Sequence, residues 1–187
     1  MRLGLRIATS LLLLCAARPL PAGEIGGVAV PETVEVGGRE LKLNGTALLK
    51  KLVFHVYVVA LYLPVPAHDV EGVVGPDVPK ALILQFLRAV SRDSLVSTLE
   101  RDFAMNGGEK AKRAERQIAR MLAGVKDMKS GDRLTFIYEP GKGSRVTMTD
   151  GTVVRLEGKD FADSFLLLYL GPKPPKEEMK RRLLGLV

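Results

Sequence analysis

The sequence predicts an α+β domain in which a large antiparallel sheet carries a layer of helices on one face. Two observations lead to this fold class. Segments with the two-residue period of strands and tight hairpin turns come first, helical segments follow, and the same order then repeats. Residues 53–63 are apolar at both alternating sets of positions, so this strand is expected to lie centrally, covered on both faces. The order of elements does not favour a doubly wound parallel sheet.

The first half of the chain is predicted to be mainly strands. Residues 33–43 predict a hairpin, because apolar residues alternate on both sides of a Gly-Gly pair that allows a tight turn. A long strand is expected over 51–63, with His55 and Tyr57 inside the protein or on a cleft wall. Prolines and glycines then predict a loop over 64–79 with room for one short element. A further apolar strand is expected over 81–90.

Two amphipathic helices are predicted next. The first begins after Ser91, a favourable N-cap residue, and carries apolar side chains four residues apart. A Gly-Gly pair ends it, and the second helix covers 109–124. The remaining chain is predicted to form three strands and then two helices, one capped by Asp160 and one starting at Pro175. The strands are expected at 133–138, 144–149 and 152–156.

The first 22 residues have the pattern of a cleavable secretory signal. Arg2 and Arg6 precede an apolar run that is too short to span a bilayer, and Ala22 offers a small residue for cleavage. We therefore expect 1–22 to be a signal peptide and 23–187 to form a single exported domain, periplasmic in a Gram-negative source. An uncleaved anchor and a lipoprotein signal at Cys15 are the alternatives.

Composition excludes several classes of site. The chain of 187 residues has a formal net charge of +7, and removal of 1–22 takes away three arginines, which leaves 7 − 3 = +4. The same cleavage removes Cys15, the only cysteine, and with it disulfides, thiolate catalysis and cysteine metal sites. The two histidines, His55 and His68, have no spaced carboxylate pattern beside them, so no metal and no cofactor are expected.

Four stretches of the chain resemble the bacterial exported branch of the chalcone isomerase-like family. They are GTALLKKLVFHVYVVALYLP at 45–64, LQFLRAVSRDSLVSTLERDF at 84–103, MKSGDRLTFIYEPGKG at 128–143 and GKDFADSFLLLYLGPKPPKEEMKRRLLG at 158–185. The resemblance covers about residues 26–185 and implies an open-faced β-sandwich, a large antiparallel sheet with a layer of helices. The family includes enzymes that close a chalcone into a flavanone, fatty-acid binders and members that are not catalytic.

The resemblance also implies which positions form the site. In catalytic relatives an arginine before the central strand holds the substrate phenolate, and in fatty-acid binders it takes the ligand carboxylate. Leu49 stands at that position and cannot hold an anion. Tyr57 matches a strand threonine, Leu95 and Asp102 match polar helix positions, and Leu168 matches a polar position on the last sheet-facing helix. The pocket is therefore expected to lack most of its donors, and chalcone cyclisation is not transferred.

Three residues remain candidates for catalysis because they would share a strand face with Leu49. Lys51 could replace the arginine as a point charge, His55 could act as a general base, and Tyr57 keeps a hydroxyl. The simpler interpretation is a solvated lysine, a hydrogen-bonded histidine and a core tyrosine. The predicted ligand-binding set is Leu49, Lys51, Tyr57, Leu95, Leu99, Asp102 and Leu168.

The leading hypothesis is a non-catalytic exported protein that binds a small apolar or amphipathic, fatty-acid-like ligand between sheet and helices. One alternative is an intramolecular-lyase-type isomerase acting on a chalcone-like substrate, which needs a cation such as Arg88 or Arg92 beside Tyr57. Another is an envelope interaction protein. The basic segment 109–120 contains two glutamates and no aromatic pattern, so nucleic acid is not an expected partner. Peripheral contact of this segment with an anionic membrane surface stays a hypothesis.

Overall fold

The computed structural model describes residues 21–187, so the predicted signal segment lies almost entirely outside the described residues. Seven strands form one antiparallel sheet in which every strand pairs with its neighbours in the chain. A separate two-stranded hairpin precedes this sheet. The hairpin consists of β1 (Pro21–Ile25) and β2 (Val28–Pro31), and the sheet of β3 (Thr33–Val36), β4 (Arg39–Lys51), β5 (Phe54–Leu63), β6 (Lys80–Phe86), β7 (Arg133–Glu139), β8 (Gly143–Met148) and β9 (Val153–Leu156).

The helices of the described residues form a layer on one face of the large sheet. They are α1 (Val70–Val74), α2 (Arg92–Asn106), α3 (Gly108–Arg113), α4 (Glu115–Gly124), α5 (Lys159–Leu170) and α6 (Glu177–Leu183). None of these helices is long and apolar enough to cross a bilayer. Ser91 caps α2 as predicted, because its side chain accepts a hydrogen bond from the backbone amide of Ser94.

Each face of the large sheet buries its own set of β5 side chains. Val59 faces the helices and joins a main core that contains Phe165 of α5. Val58 and Tyr62 face the opposite side and form a second core with Val30 of β2. The predictions of an α+β fold and of a central strand covered on both sides are therefore confirmed.

The predicted strand over 51–63 is wrong at its beginning. The chain turns at Leu52 and Val53, and Lys51 is the last residue of β4, opposite Phe54 of β5. A hairpin turn without glycine or asparagine gives no turn signal in the sequence. Because Lys51 and Tyr57 belong to different strands, the expectation that a single strand aligns their side chains on one face is also wrong.

Three features of the helices also differ from prediction. The helix expected over 109–124 is divided into α3 and α4 at Ala114, whose backbone leaves the helical region. Asp160 does not cap α5: Gly158 is the N-cap residue, and the Asp160 carboxylate accepts hydrogen bonds of 2.7 and 2.8 Å from Arg113. The last helix begins at Glu177, two residues after Pro175.

The β4–β5 hairpin is anchored tightly at the end away from its turn. The Asn44 side chain donates to the backbone oxygens of Ala67 (2.9 Å) and Leu183 (2.7 Å) and accepts from the Ala67 amide (2.8 Å). Gly45 follows, and a Cβ atom there would lie 2.8 Å from Leu183 Cα and closer still to the Arg182 carbonyl. Glycine is therefore what allows α6 to approach β4 this closely.

A buried cluster of charges lies near the same end. The Lys80 ammonium, at the start of β6, donates to the backbone oxygen of Pro76 (2.7 Å). The Asp163 carboxylate accepts from Lys159 (2.7 Å) and pairs with Lys110. Burial and the positive charge of Lys159 lower the pKa of Lys80 to about 8. The protein's own groups satisfy this cluster, so its role is structural.

Candidate functional site

A cavity of about 890 Å³ opens at the turn end of the β4–β5 hairpin. The last residues of β4, the first residues of β5, the segment after β6 and one face of α2 form its walls. Residues 175–176, just before α6, also line the cavity. The cavity therefore lies between the sheet and the helices, near the exposed first residues of β5.

The floor of the cavity is apolar. Leu49 and Tyr57 are directly opposite each other on β4 and β5, which places both side chains on the same face of the sheet. The Tyr57 ring packs edge-on against Phe86, with ring centroids 5.8 Å apart. Leu95 and Val90 complete this floor from the other wall.

A pair of tyrosines lies behind the floor. Tyr57 on β5 and Tyr169 on α5 lie close enough to affect each other's pKa: their interaction lowers the pKa of Tyr57 and raises that of Tyr169. Burial is the larger effect, and it raises the pKa of both groups well above the ordinary value for tyrosine, with the nearby Asp102 carboxylate acting in the same direction. Both hydroxyls are therefore protonated at neutral pH and can serve as hydrogen-bond donors.

The rim of the cavity is strongly basic. Five of its side chains are cationic and only one, Asp102, is acidic. The Arg101 guanidinium binds one oxygen of Asp102 through Nε (3.1 Å) and Nη2 (3.0 Å). The Arg88 guanidinium stacks over the Phe54 ring at 4.8 Å. The five cations are Lys50, Lys51, Arg88, Arg101 and Lys176.

Comparison of the chain with known proteins identifies its family. The sequence profile of the chalcone isomerase-like family matches residues 22–185. The chain belongs to the chalcone isomerase-like family. None of the curated protein sequences compared with it matches. Among solved structures it is similar to a fatty-acid binding protein of Arabidopsis thaliana, at 16% identity and a TM-score of 0.61, over 84% of this chain and 92% of that one. At this identity the likeness shows the fold.

Five residues of the predicted ligand-binding set line the cavity of this chalcone isomerase-like domain, and two do not. Leu99 and Leu168 are instead packed in the main core, because α2 and α5 direct them at the sheet. The five that line the cavity are Leu49, Lys51, Tyr57, Leu95 and Asp102.

His55 does not fulfil the expectation of a buried or cleft-wall residue. It is exposed and does not line the cavity, since β5 is covered only from Val56 onward. The other histidine, His68, makes a hydrogen bond of 2.9 Å from Nδ1 to the Leu184 carbonyl. Within residues 21–187 no group of three or more His, Cys, Asp or Glu side chains is arranged to hold a metal.

Sequence reasoning missed much of the polar character of the site. The hydroxyl on the last sheet-facing helix belongs to Tyr169, one position after the Leu168 that the family resemblance indicated. Phe86, Arg101 and Lys176 were not predicted either. Arg88, named only as a possible replacement cation, does line the cavity, whereas Arg92 does not. The expectation of a pocket that lacks most of its donors therefore does not hold for the cavity as a whole.

Proposed function

We propose that this chalcone isomerase-like protein binds an amphipathic anion of the fatty-acid class in the cavity. One observation carries the proposal: an apolar floor lies beneath a rim with five cations and one carboxylate. A hydrocarbon chain gains from the floor because its burial removes apolar surface from water. A carboxylate gains from the rim because charge-assisted hydrogen bonds from guanidinium groups are strong and directional.

The rim offers a carboxylate more than one anchor in place of the family arginine. Leu49 contributes only apolar surface, but Arg88 and Arg101 reach the same cavity from the segment after β6 and from α2. Arg101 uses Nε and Nη2 for Asp102, and its guanidinium carries further donors for a ligand. The Arabidopsis neighbour with this fold is described as a fatty-acid binding protein, which supports the same class of ligand.

The anion proposal is tested by comparing two ligands of equal chain length, palmitate and the corresponding alcohol. Displacement of a fluorescent fatty acid gives both dissociation constants, and native mass spectrometry gives the stoichiometry. We expect palmitate to bind more tightly than the alcohol. Arg88→Gln should weaken palmitate about tenfold, which corresponds to the loss of one charge-assisted hydrogen bond.

The matched control is Arg155→Gln, which removes an exposed arginine of β9, outside the cavity lining. It should leave both affinities unchanged. Ala89→Phe adds bulk to the cavity wall and should weaken palmitate and the alcohol alike. Equal binding of acid and alcohol, with no effect of Arg88→Gln, would remove the proposal.

We also propose that the protein is exported with cleavage after Ala22, on the sequence pattern of residues 1–22. Such cleavage leaves Gly23, Glu24 and Ile25 of β1, which pair with Val30, Ala29 and Val28 of β2. Intact-mass measurement of the protein from the periplasm of a Gram-negative host tests the site. A product that retains residues 1–22 contradicts it.

A second candidate function is isomerisation of the intramolecular-lyase type. It is favoured by the presence of Arg101 and the protonated Tyr57 hydroxyl in one cavity, because the reaction needs a cation for the phenolate and a donor for the ketone. Purified protein is incubated with a chalcone while the absorbance of its chromophore is followed. Turnover that is lost in Tyr57→Phe supports the candidate, and a rate equal to that in buffer alone eliminates it for that substrate.

A further inference from the structure

The turn of the β4–β5 hairpin exposes apolar side chains to an unusual extent. Leu52, Val53 and Phe54 follow one another in the chain and are 92%, 85% and 53% exposed. Single exposed apolar residues are ordinary on a protein surface, but three consecutive ones on a projecting turn are not. Residues 50–55, which comprise these three and their flanking residues Lys50, Lys51 and His55, are called the hairpin tip.

The backbone of the hairpin tip is also unfavourable for its sequence. Leu52 has a φ of 55°, and it is the only non-glycine residue with a positive φ within residues 21–187. The turn between β3 and β4 places Gly37 and Gly38 at positive φ, and the turn between β8 and β9 uses Gly151. A leucine in this position is strained and remains in water, so it contributes nothing to the stability of the fold.

Cations surround these apolar side chains. Lys50 and Lys51 precede the turn, and the Arg88 guanidinium lies over the Phe54 ring at 4.8 Å. Arg101 and Lys176 add positive charge on the same rim. These five cations are called the basic collar. Exposed apolar side chains surrounded by positive charge are complementary to a bilayer whose anionic headgroups cover a hydrocarbon interior.

We propose that the hairpin tip docks on an anionic lipid bilayer, with Leu52, Val53 and Phe54 entering the headgroup region. The basic collar then contacts lipid phosphates. The docking surface rests on exposure and charge and does not depend on which ligand the cavity takes. Docking would also orient the binding site. Lys50, Lys51 and Leu52 line the cavity as well, so docking of the hairpin tip turns the cavity mouth toward the membrane.

The basic segment 109–120 is a weaker membrane surface than the hairpin tip. Three of its cations are engaged by carboxylates: Lys110 by Asp163, Lys112 by Glu109 and Arg113 by Asp160. No large apolar side chain of α3 or α4 is among the exposed ones. The hairpin tip is therefore a better candidate than segment 109–120 for the membrane contact that the sequence suggested.

A tryptophan reporter tests the proposal directly, because the chain contains no tryptophan. Val53→Trp places the reporter at the tip of the full-length chain, and Val65→Trp is the matched control, since Val65 is 71% exposed on a different loop. Each protein is mixed with vesicles of phosphatidylcholine alone or with phosphatidylglycerol added. We expect a blue shift for Trp at 53 with the anionic vesicles, reduced by salt, and no shift for Trp at 65.

Vesicle flotation measures the strength of docking. Leu52→Asn combined with Val53→Asn should lower the partition coefficient on anionic vesicles about tenfold, because two apolar side chains no longer leave water. Lys50→Gln combined with Lys51→Gln should lower it on anionic vesicles only. Arg155→Gln should have no effect. All variants share residues 1–22, so differences among them come from the substituted positions.

Two results would overturn docking by the hairpin tip. One is flotation of the protein with unshifted emission from position 53, which places the membrane contact elsewhere. The other is a blue shift that appears without vesicles and grows with protein concentration, which makes the hairpin tip a contact between two copies of the chain. Val53→Asn, outside the cavity lining, should still bind palmitate, so failure of docking and failure of fatty-acid binding are separate outcomes.

Discussion

The two ends of the β4–β5 hairpin are built from the same pair of strands and differ in almost every physical property. At the anchored end, Asn44 makes three hydrogen bonds to neighbouring segments and Gly45 admits α6. The β5 residues there, from Val58 to Leu63, are all buried. At the turn end, Leu52 and Val53 are almost fully exposed.

The difference separates residues that stabilise the fold from residues that serve binding. At the anchored end the local sequence and the tertiary structure agree: glycine stands where space is lacking, and apolar residues stand where water is excluded. At the hairpin tip they disagree, since a leucine occupies a positive φ and apolar side chains lie in water. Local rules are broken in this way mainly where function requires it.

The largest effect is expected from filling the space at the anchored end. Gly45→Ala places a Cβ atom against the backbone of Arg182 and Leu183. These atoms belong to α6, so they cannot move aside without displacing the helix. We expect a loss of about 3 kcal/mol in the free energy of unfolding, measured by urea denaturation. Gly23→Ala is the control, because a Cβ atom at Gly23 meets nothing within 4 Å. Equal stability of the two variants would mean that α6 does not pack on β4 as described.

The same substitution, valine to alanine, can be made at a buried position of β5 and at an exposed position of its turn, which compares the two ends directly. Val59 is fully buried, so Val59→Ala should cost about 2 kcal/mol through lost burial and a residual cavity. Val53→Ala at the hairpin tip should change stability by less than about 0.5 kcal/mol. Thermal and urea unfolding measure both. A large loss for Val53→Ala would show that the hairpin tip contributes to the fold after all.

The last expected effect, at Leu52, is smaller than those at Gly45 and Val59 and has the opposite sign. Leu52→Asn replaces a strained leucine with a residue that tolerates positive φ, so we expect stability to rise by about 1 kcal/mol. The same substitution should weaken binding to anionic vesicles. A gain in stability together with a loss in docking identifies Leu52 as a residue retained for binding. A loss of stability would contradict the description of this turn.

Most of the fold follows from hydrophobic period and turn chemistry. The Gly-Gly pair at 37–38 and the Asp-Gly pair at 150–151 mark their hairpins correctly, and the mainly apolar residues at both alternating sets of positions over 53–63 identify the central strand. The turn at Leu52 was missed because it uses no turn residue. The break at Ala114 was missed because helical spacing continues across it, with Ile118 and Met121 still directed inward.

The site was less predictable because it depends on contacts between distant segments. Leu49 and Tyr57 were assigned to the site from the family resemblance, but Arg88 and Lys176 reach the cavity only after the segments that follow β6 and precede α6 have packed around the hairpin. Leu168 and Tyr169 are both buried in the main core, but Tyr169 is the one that interacts with Tyr57. A shift of one residue on a helix turns a side chain by about 100°, which resemblance alone does not resolve.

The strictly sequential strand order has a kinetic consequence. Hairpins such as β3–β4 and β4–β5 close across short turns, whereas pairing of β6 with β7 must close over the 133 − 86 − 1 = 46 residues that contain α2, α3 and α4. Loop-closure entropy therefore disfavours this one pairing over its neighbours. The sheet should therefore nucleate as two halves, β3–β6 and β7–β9. The pairing of β6 with β7 should limit the rate of folding.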